Sequence, residues 1–169
     1  IPSYNTPELL RNCINSIRAC TKDFKIIIVD NGSEKETQDY LDSIERQPFV
    51  TVIRNKKNMG FGYANNQGLR ASKSSMVCFL NSDTVVTDKW LVRMQKVMFD
   101  NKASLVGCMT DFVDEAKQKI IPPKGMDLEC FAENHFKERG YEFEQIARVI
   151  GFCMLAERSA LREIGDCFD

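Results

Sequence analysis

The sequence predicts an α/β fold, a mostly parallel sheet with helices on both faces. Three observations carry that reading. Short β-branched apolar runs recur along the chain without the alternation of a half-exposed strand. Between them lie stretches with apolar residues at helical spacing. Three of the runs stop at polar clusters: Ser3-Tyr4-Asn5, Asp30-Asn31-Gly32-Ser33 and Asn81-Ser82-Asp83-Thr84. Alternating strands and helices imply parallel neighbours joined by crossovers. Ligands of such sheets bind beyond the carboxyl ends of the strands.

The elements follow in order. Ile1-Pro2 reads as the tail of a central strand. Thr6-Pro7-Glu8 starts a helix, with Thr as cap, Pro at the first position and an acid in the first turn. Leu10, Cys13, Ile14 and Ile17 give that helix its apolar face. Residues 24–29 form a strand buried on both faces. Ser33 with Glu36 has the pattern of a capping box for a helix running to about Arg46. Val50 to Arg54 is the next strand, and a short helix covers Ala64 to Ala71 after a loop. Met76 to Leu80 is a fourth strand. Thr87-Asp88 caps a helix that turns Trp90, Leu91, Met94, Val97 and Met98 inward. Ser104 to Met109 reads as a fifth strand, 110–147 as irregular and charged, and Ile146 to Ala156 as a last strand before a short helix from Ser159.

Composition narrows the class. A chain of 169 residues with 43% apolar and 28% charged residues suits one globular domain. Its 23 basic and 24 acidic residues nearly cancel, so no overall field favours nucleic acid or an anionic membrane. No apolar run is long enough to span a bilayer. The seven cysteines include no C-x-x-C pair, and an odd number cannot all pair internally. Several sit in apolar runs, where a free thiol behaves as a small hydrophobe. The expectation is a reducing, cytoplasmic setting, with a peripheral seat at the inner face of the membrane open to the full-length protein. The single histidine, His135, lies far from any cysteine cluster and argues against zinc. The ends suggest a piece of a longer protein, truncated at both.

The stretch Asn58 to Gly68 contains Gly60, Gly62 and Gly68, but Asn65 stands where G-x-G-x-x-G needs glycine, and it follows the third strand rather than the first. A nicotinamide fingerprint and a P-loop are both missing. What the motifs do resemble, taken together and in order, is the family 2 glycosyltransferases of the GT-A fold, in their rhamnosyltransferase-like branch. The residues carrying the resemblance are Pro2-Ser3-Tyr4-Asn5, Val29-Asp30-Asn31-Gly32-Ser33, Asn58-x-Gly60-Phe61-Gly62-x-Ala64-Asn65-Asn66-x-Gly68 and Leu80-Asn81-Ser82-Asp83-Thr84. Gly151 to Leu155 and Gly165 to Asp169 resemble two further segments.

The resemblance implies a Rossmann-like nucleotide-diphospho-sugar transferase fold and a set of roles. Asp30 would accept a hydrogen bond from a nucleobase ring N–H, with Asn31 beside it among the nucleotide-sugar-binding residues; as plain structure Asp30 is an Asx-turn acceptor capping the Asn31-Gly32 turn. Ser3 and Asn5 would line the nucleotide, or simply close a turn. Asn58, Gly60, Phe61 and Asn65 would pack around base and ribose, or form a loop and helix start. Asn81, Ser82 and Asp83 stand in the family's DXD motif, with Asp83 binding a divalent cation, Mn²⁺ or Mg²⁺, on the donor diphosphate. Asn81 brings no charge to the first DXD position.

The expected donor is a UDP-, dTDP- or GDP-linked sugar and the expected acceptor a saccharide or lipid-linked hydroxyl, with no nucleic acid partner and inversion at the anomeric carbon. The nucleotide part would span about 1–109 and the start of the acceptor side about 110–169. The family's catalytic base would follow Asp169, so none is named; Asp111 and Asp114 are carboxylates after the fifth strand without a match to it. The alternative is a non-catalytic nucleotide-sugar-binding module.

Overall fold

The computed structural model describes residues 1–111, 116–165 and 168. Asp114 and Asp169 lie outside them. Two three-stranded sheets form the frame. In the first, β1 (Pro2–Ser3), β2 (Ile26–Asp30) and β3 (Val50–Arg54) lie in that order, all parallel. Ser3 pairs with Asp30 and Asp30 with Arg54, so the three carboxyl ends finish level. In the second, β4 (Met76–Leu80) and β5 (Leu105–Gly107) flank β6 (Cys153–Glu157), which runs antiparallel to both. The α/β class and its parallel sheet are as the sequence predicts; the reversed β6 adds an antiparallel half.

Helix α1 (Pro7–Cys20) begins at Thr6-Pro7 and buries Leu10, Cys13, Ile14 and Ile17, the four residues picked by their spacing. The capping box at Ser33 does not form. Helix α2 (Lys35–Ile44) starts after Glu34, and the Ser33 hydroxyl instead accepts from the Asn5 backbone N–H at 3.0 Å. Helix α3 (Phe61–Ala71) starts three residues earlier than read, with Gly60 before it at φ 89°. Helix α4 (Trp90–Asp100) follows Lys89 in the left-handed region rather than a Thr87-Asp88 side-chain cap. Its Met94 and Met98 are buried, with Trp90 and Leu91 packed against the same core.

Within the segment read as irregular stands α5 (Leu128–Arg139), capped by Asp127, whose carboxylate accepts from the Cys130 N–H at 3.0 Å. It buries no residue completely, so it carries no apolar stripe for the sequence to display. The short α6 (Arg158–Glu163) closes the order.

One apolar core joins α1, β2, β4 and α4, around Leu10, Ile28, Leu80 and Met98. A smaller one gathers Leu69, Phe79, Ala156 and Leu161, with Phe168 against it. A cavity of about 310 Å³ runs between β2 and β4, lined mainly by apolar residues such as Ile27, Val77 and Leu155. Neither Asp30 nor Asp83 lines it, and its walls suit no diphosphate.

Candidate functional site

The polar site forms where β1, β2, β3 and β4 end. Side chains tie their loops together. Asn5, held at φ 53°, a left-handed conformation that Asn tolerates, accepts from the Glu34 N–H with its Oδ1 at 2.7 Å. With the Asn5–Ser33 bond this clasps the loop after β1 to the turn after β2. On the other side the hydroxyls of Thr6 and Ser82 meet at 3.4 Å, joining the β1 and β4 loops.

The turn after β2 is pinned to the loop after β3. Gly32 sits at φ 82°, and a Cβ there would lie 2.6 Å from the Lys57 Cα, so only glycine permits this approach. Asn31, almost wholly buried, donates from Nδ2 to Asn58 Oδ1 (3.0 Å) and the Gly60 carbonyl (3.1 Å). Its Oδ1 accepts from Asn55 Nδ2 (3.0 Å) and the Met59 N–H (3.1 Å). All four hydrogen bonds of that amide are therefore made within the protein. Asn55 and Gln67 exchange a reciprocal pair at 2.7 and 2.9 Å, extending the network into α3. Asn65 back-bonds from Nδ2 to the Phe61 carbonyl at 3.1 Å. Asn31, Asn58 and Asn65 thus shape the loop and helix, and Gly60 gives them the turn.

Asp30 is 0% exposed. Its Oδ1 accepts from the Ser33 N–H at 3.2 Å, the Asx turn open in the sequence reading, and its Oδ2 accepts from Gln38 Nε2 at 2.6 Å. Two polar atoms at neighbouring strand ends, Ser3 Oγ and Asn81 Oδ1, are buried without a partner among the described residues. Such orphans carry a desolvation cost of roughly 1–3 kcal/mol each that a ligand's hydrogen bonds could relieve. Asp83 and Phe61 are exposed, with Phe61 edge-on to Phe168 at 5.7 Å.

Among the described residues no cluster of three or more His, Cys, Asp or Glu could enclose a metal. The chemistry of the oxygens at the end of β4, the exposed Asp83 carboxylate and the orphaned Asn81 side-chain Oδ1, suits a hard cation whose shell a ligand's oxygens and water would complete. Sequence reasoning missed Gln38, Arg54, Asn55, Gln67 and Asn66, because the partners of an amide or a guanidinium are set by the fold and leave no spacing pattern.

The chain is similar to known proteins in sequence and in fold. Over 110 residues the chain is 34% identical to the uncharacterized glycosyltransferase YfnE of Bacillus subtilis (strain 168), covering 64% of this chain and 28% of that protein. In fold it matches the mannosyltransferase PcManGT from Pyrobaculum calidifontis in complex with GDP-Man and Mn²⁺, with TM-score 0.71, 17% identity and coverage of 98% of this chain and 45% of that one. It also matches S. aureus TarS 1–349 in complex with UDP-GlcNAc, with TM-score 0.68, 18% identity and coverage of 99% and 46%. The chain thus spans less than half the length of each. The pattern of the family described as glycosyl transferase family 2 matches residues 1–165, and the chain belongs to that family.

Proposed function

We propose that this domain is the donor-binding part of an enzyme that moves a sugar from a nucleoside diphosphate to an acceptor hydroxyl. The observation that carries the reading is the meeting of four strand-end loops, cross-tied by side chains, in a chain of this family. Asp30 reads the base. Ser3 Oγ and Asn81 Oδ1, both without partners among the described residues, face the sugar–phosphate portion. Asp83 contributes the charged oxygen to an Mn²⁺ or Mg²⁺ ion, which supplies charge neutralisation on the departing diphosphate. Asn81 in the first DXD position supports the rhamnosyltransferase-like branch, and inversion by direct displacement is the assigned course. UDP-, dTDP- or GDP-linked sugars are the donors, and a saccharide or lipid-linked hydroxyl is the acceptor.

Residues of about 1–109 form the nucleotide side in this reading and 110–169 begin the acceptor side. Asp111 is exposed and, among the described residues, accepts from the neighbouring Thr110 hydroxyl at 3.3 Å. The test is calorimetric titration of UDP-, dTDP- and GDP-sugars with and without Mn²⁺, followed by single-turnover transfer to saccharide and lipid acceptors. Binding without transfer, even in a longer version of the protein, would favour a binding module. Absence of binding would overturn the reading.

A further inference from the structure

We propose that the Gln38 carboxamide is an internal stand-in for the nucleobase, occupying Asp30 and Arg54 in the free protein and leaving when a base with an N–H beside a C=O arrives. The inference rests on the donor-site reading above. Its starting point is a conflict. A carboxylate that is 0% exposed cannot be touched by any ligand until a covering group moves. Among the described residues two groups hold it: the Ser33 backbone N–H at 3.2 Å and Gln38 Nε2 at 2.6 Å. The first belongs to a turn clasped by Asn5 and pinned at Gly32. The second is a partly exposed side chain near the start of α2, whose Nε2 also donates to the Ser33 carbonyl at 3.3 Å and which, unlike the turn, can move without shifting the backbone.

The chemistry of the neighbours fixes which way the amide points. A carboxylate only accepts and a guanidinium only donates. Gln38 therefore turns its N–H to Asp30 and its carbonyl to Arg54 Nε, at 3.1 Å. That is an N–H next to a C=O, set between a carboxylate and a guanidinium. Uracil and thymine carry the same edge, as does guanine. Adenine and cytosine carry the reverse, a ring-nitrogen lone pair beside an amino group, which would set a lone pair against Asp30. Arg54 does not leave with Gln38. Its NH1 holds both Glu45 oxygens at 2.9 and 2.8 Å and its NH2 holds Asp42 at 2.7 Å, so its Nε–H stays aimed for the incoming carbonyl.

The experiment is calorimetry of the wild type and Gln38→Ala with UDP, dTDP, GDP, ADP and CDP in the presence of MnCl₂. A ligand that must expel a resident group binds with reduced apparent affinity, so Gln38→Ala is expected to bind UDP about three- to tenfold tighter. UDP, dTDP and GDP should outbind ADP and CDP in both proteins. A folded Gln38→Ala with unchanged or weaker affinity would overturn the inference and make Gln38 a mere support of Asp30; ADP or CDP binding as well as UDP would overturn it too. Should the variant melt early, the Gln38 side-chain amide resonances of the wild type decide: they shift on saturation with UDP, and unmoved resonances overturn the proposal. A wild type that binds none of the five nucleotides, or an Asp30→Asn variant of unchanged affinity, would instead defeat the donor-site reading itself.

Discussion

Asn66 grips the main chain of Phe168 from both sides. Its Nδ2 donates to the Phe168 carbonyl at 2.6 Å, and its Oδ1 accepts from the Phe168 N–H at 3.3 Å. The Phe168 ring then stands edge-on to Phe61 at 5.7 Å and to Phe79 at 5.0 Å. The glycine-rich helix start and a segment about a hundred residues away thus act as one unit. Replacing Asn66 by Leu keeps the volume but strips both backbone partners, and the expected loss is about 1–3 kcal/mol of stability in urea unfolding. An unchanged midpoint would show that the clasp adds nothing in solution.

Gly32 and Gly60 both sit at positive φ, yet they should respond differently to alanine. At Gly32 the new Cβ meets the Lys57 backbone at 2.6 Å, while at Gly60 it meets nothing within 4 Å. Gly60→Ala is expected to cost only the strain of its extended positive-φ backbone, φ 89° and ψ 164°, a region essentially reserved for glycine, about 1–3 kcal/mol. Gly32→Ala adds a backbone collision and should also push the loop after β3 away from Asn31, weakening nucleotide affinity. Equal effects of the two variants on melting and on affinity would refute the pinning role.

Asp83 has no hydrogen bond or ion pair among the described residues that would be lost on substitution, so Asp83→Asn should leave stability within about 0.5 kcal/mol. Its expected effect lies in binding: the enhancement of nucleoside-diphosphate affinity by Mn²⁺ should vanish, because the ion loses its charged protein ligand. Full metal enhancement in the variant would place the ion on another carboxylate.

Burial pushes the Cys13 thiol up from its ordinary 9.0 to about 12. Between those values the unfolded chain has released the proton and the folded one keeps it. The unfolded state therefore binds fewer protons, and stability falls as pH rises. Full stability from this group is present below about pH 9, and the loss is at most ~1.4 kcal/mol per pH unit above it. Guanidinium unfolding at pH 8 and pH 10.5 should show a smaller drop for Cys13→Ala than for the wild type; identical drops would mean the thiol ionises normally in place.

The legible parts of this fold were those written locally. The apolar face of α1 follows from residue spacing, and the run Ile26 to Val29 announces a strand with neighbours on both sides. The Ser33–Glu36 box looked just as local, yet the Ser33 hydroxyl goes to Asn5, a residue on another strand end. Direction was illegible too: Cys153 to Ala156 reads as an apolar strand either way, and only pairing to Phe79 and Val106 from opposite sides makes it antiparallel. At the strand ends, the polar clusters that the sequence marks are brought together and tied by side chains. The division of labour within them was hidden, because Asn31 and Asn55 look like solvated loop amides until the fold brings them together.

The two sheets also differ in when they can be made. The first is complete once residues up to Arg54 exist, from short-range crossovers alone. The fourth strand has no such luck: its partner β6 comes only after the whole stretch 81–152 has been synthesised. Until then β4 lacks its antiparallel neighbour, and a bare apolar edge is a template for association with other chains. Contacts of that sequence separation also close slowly. Ribosome-held chains released between residues 81 and 152 should therefore carry a formed first sheet and still aggregate through the fourth strand, and the protein's folding rate should track the arrival of Cys153–Glu157 beside it.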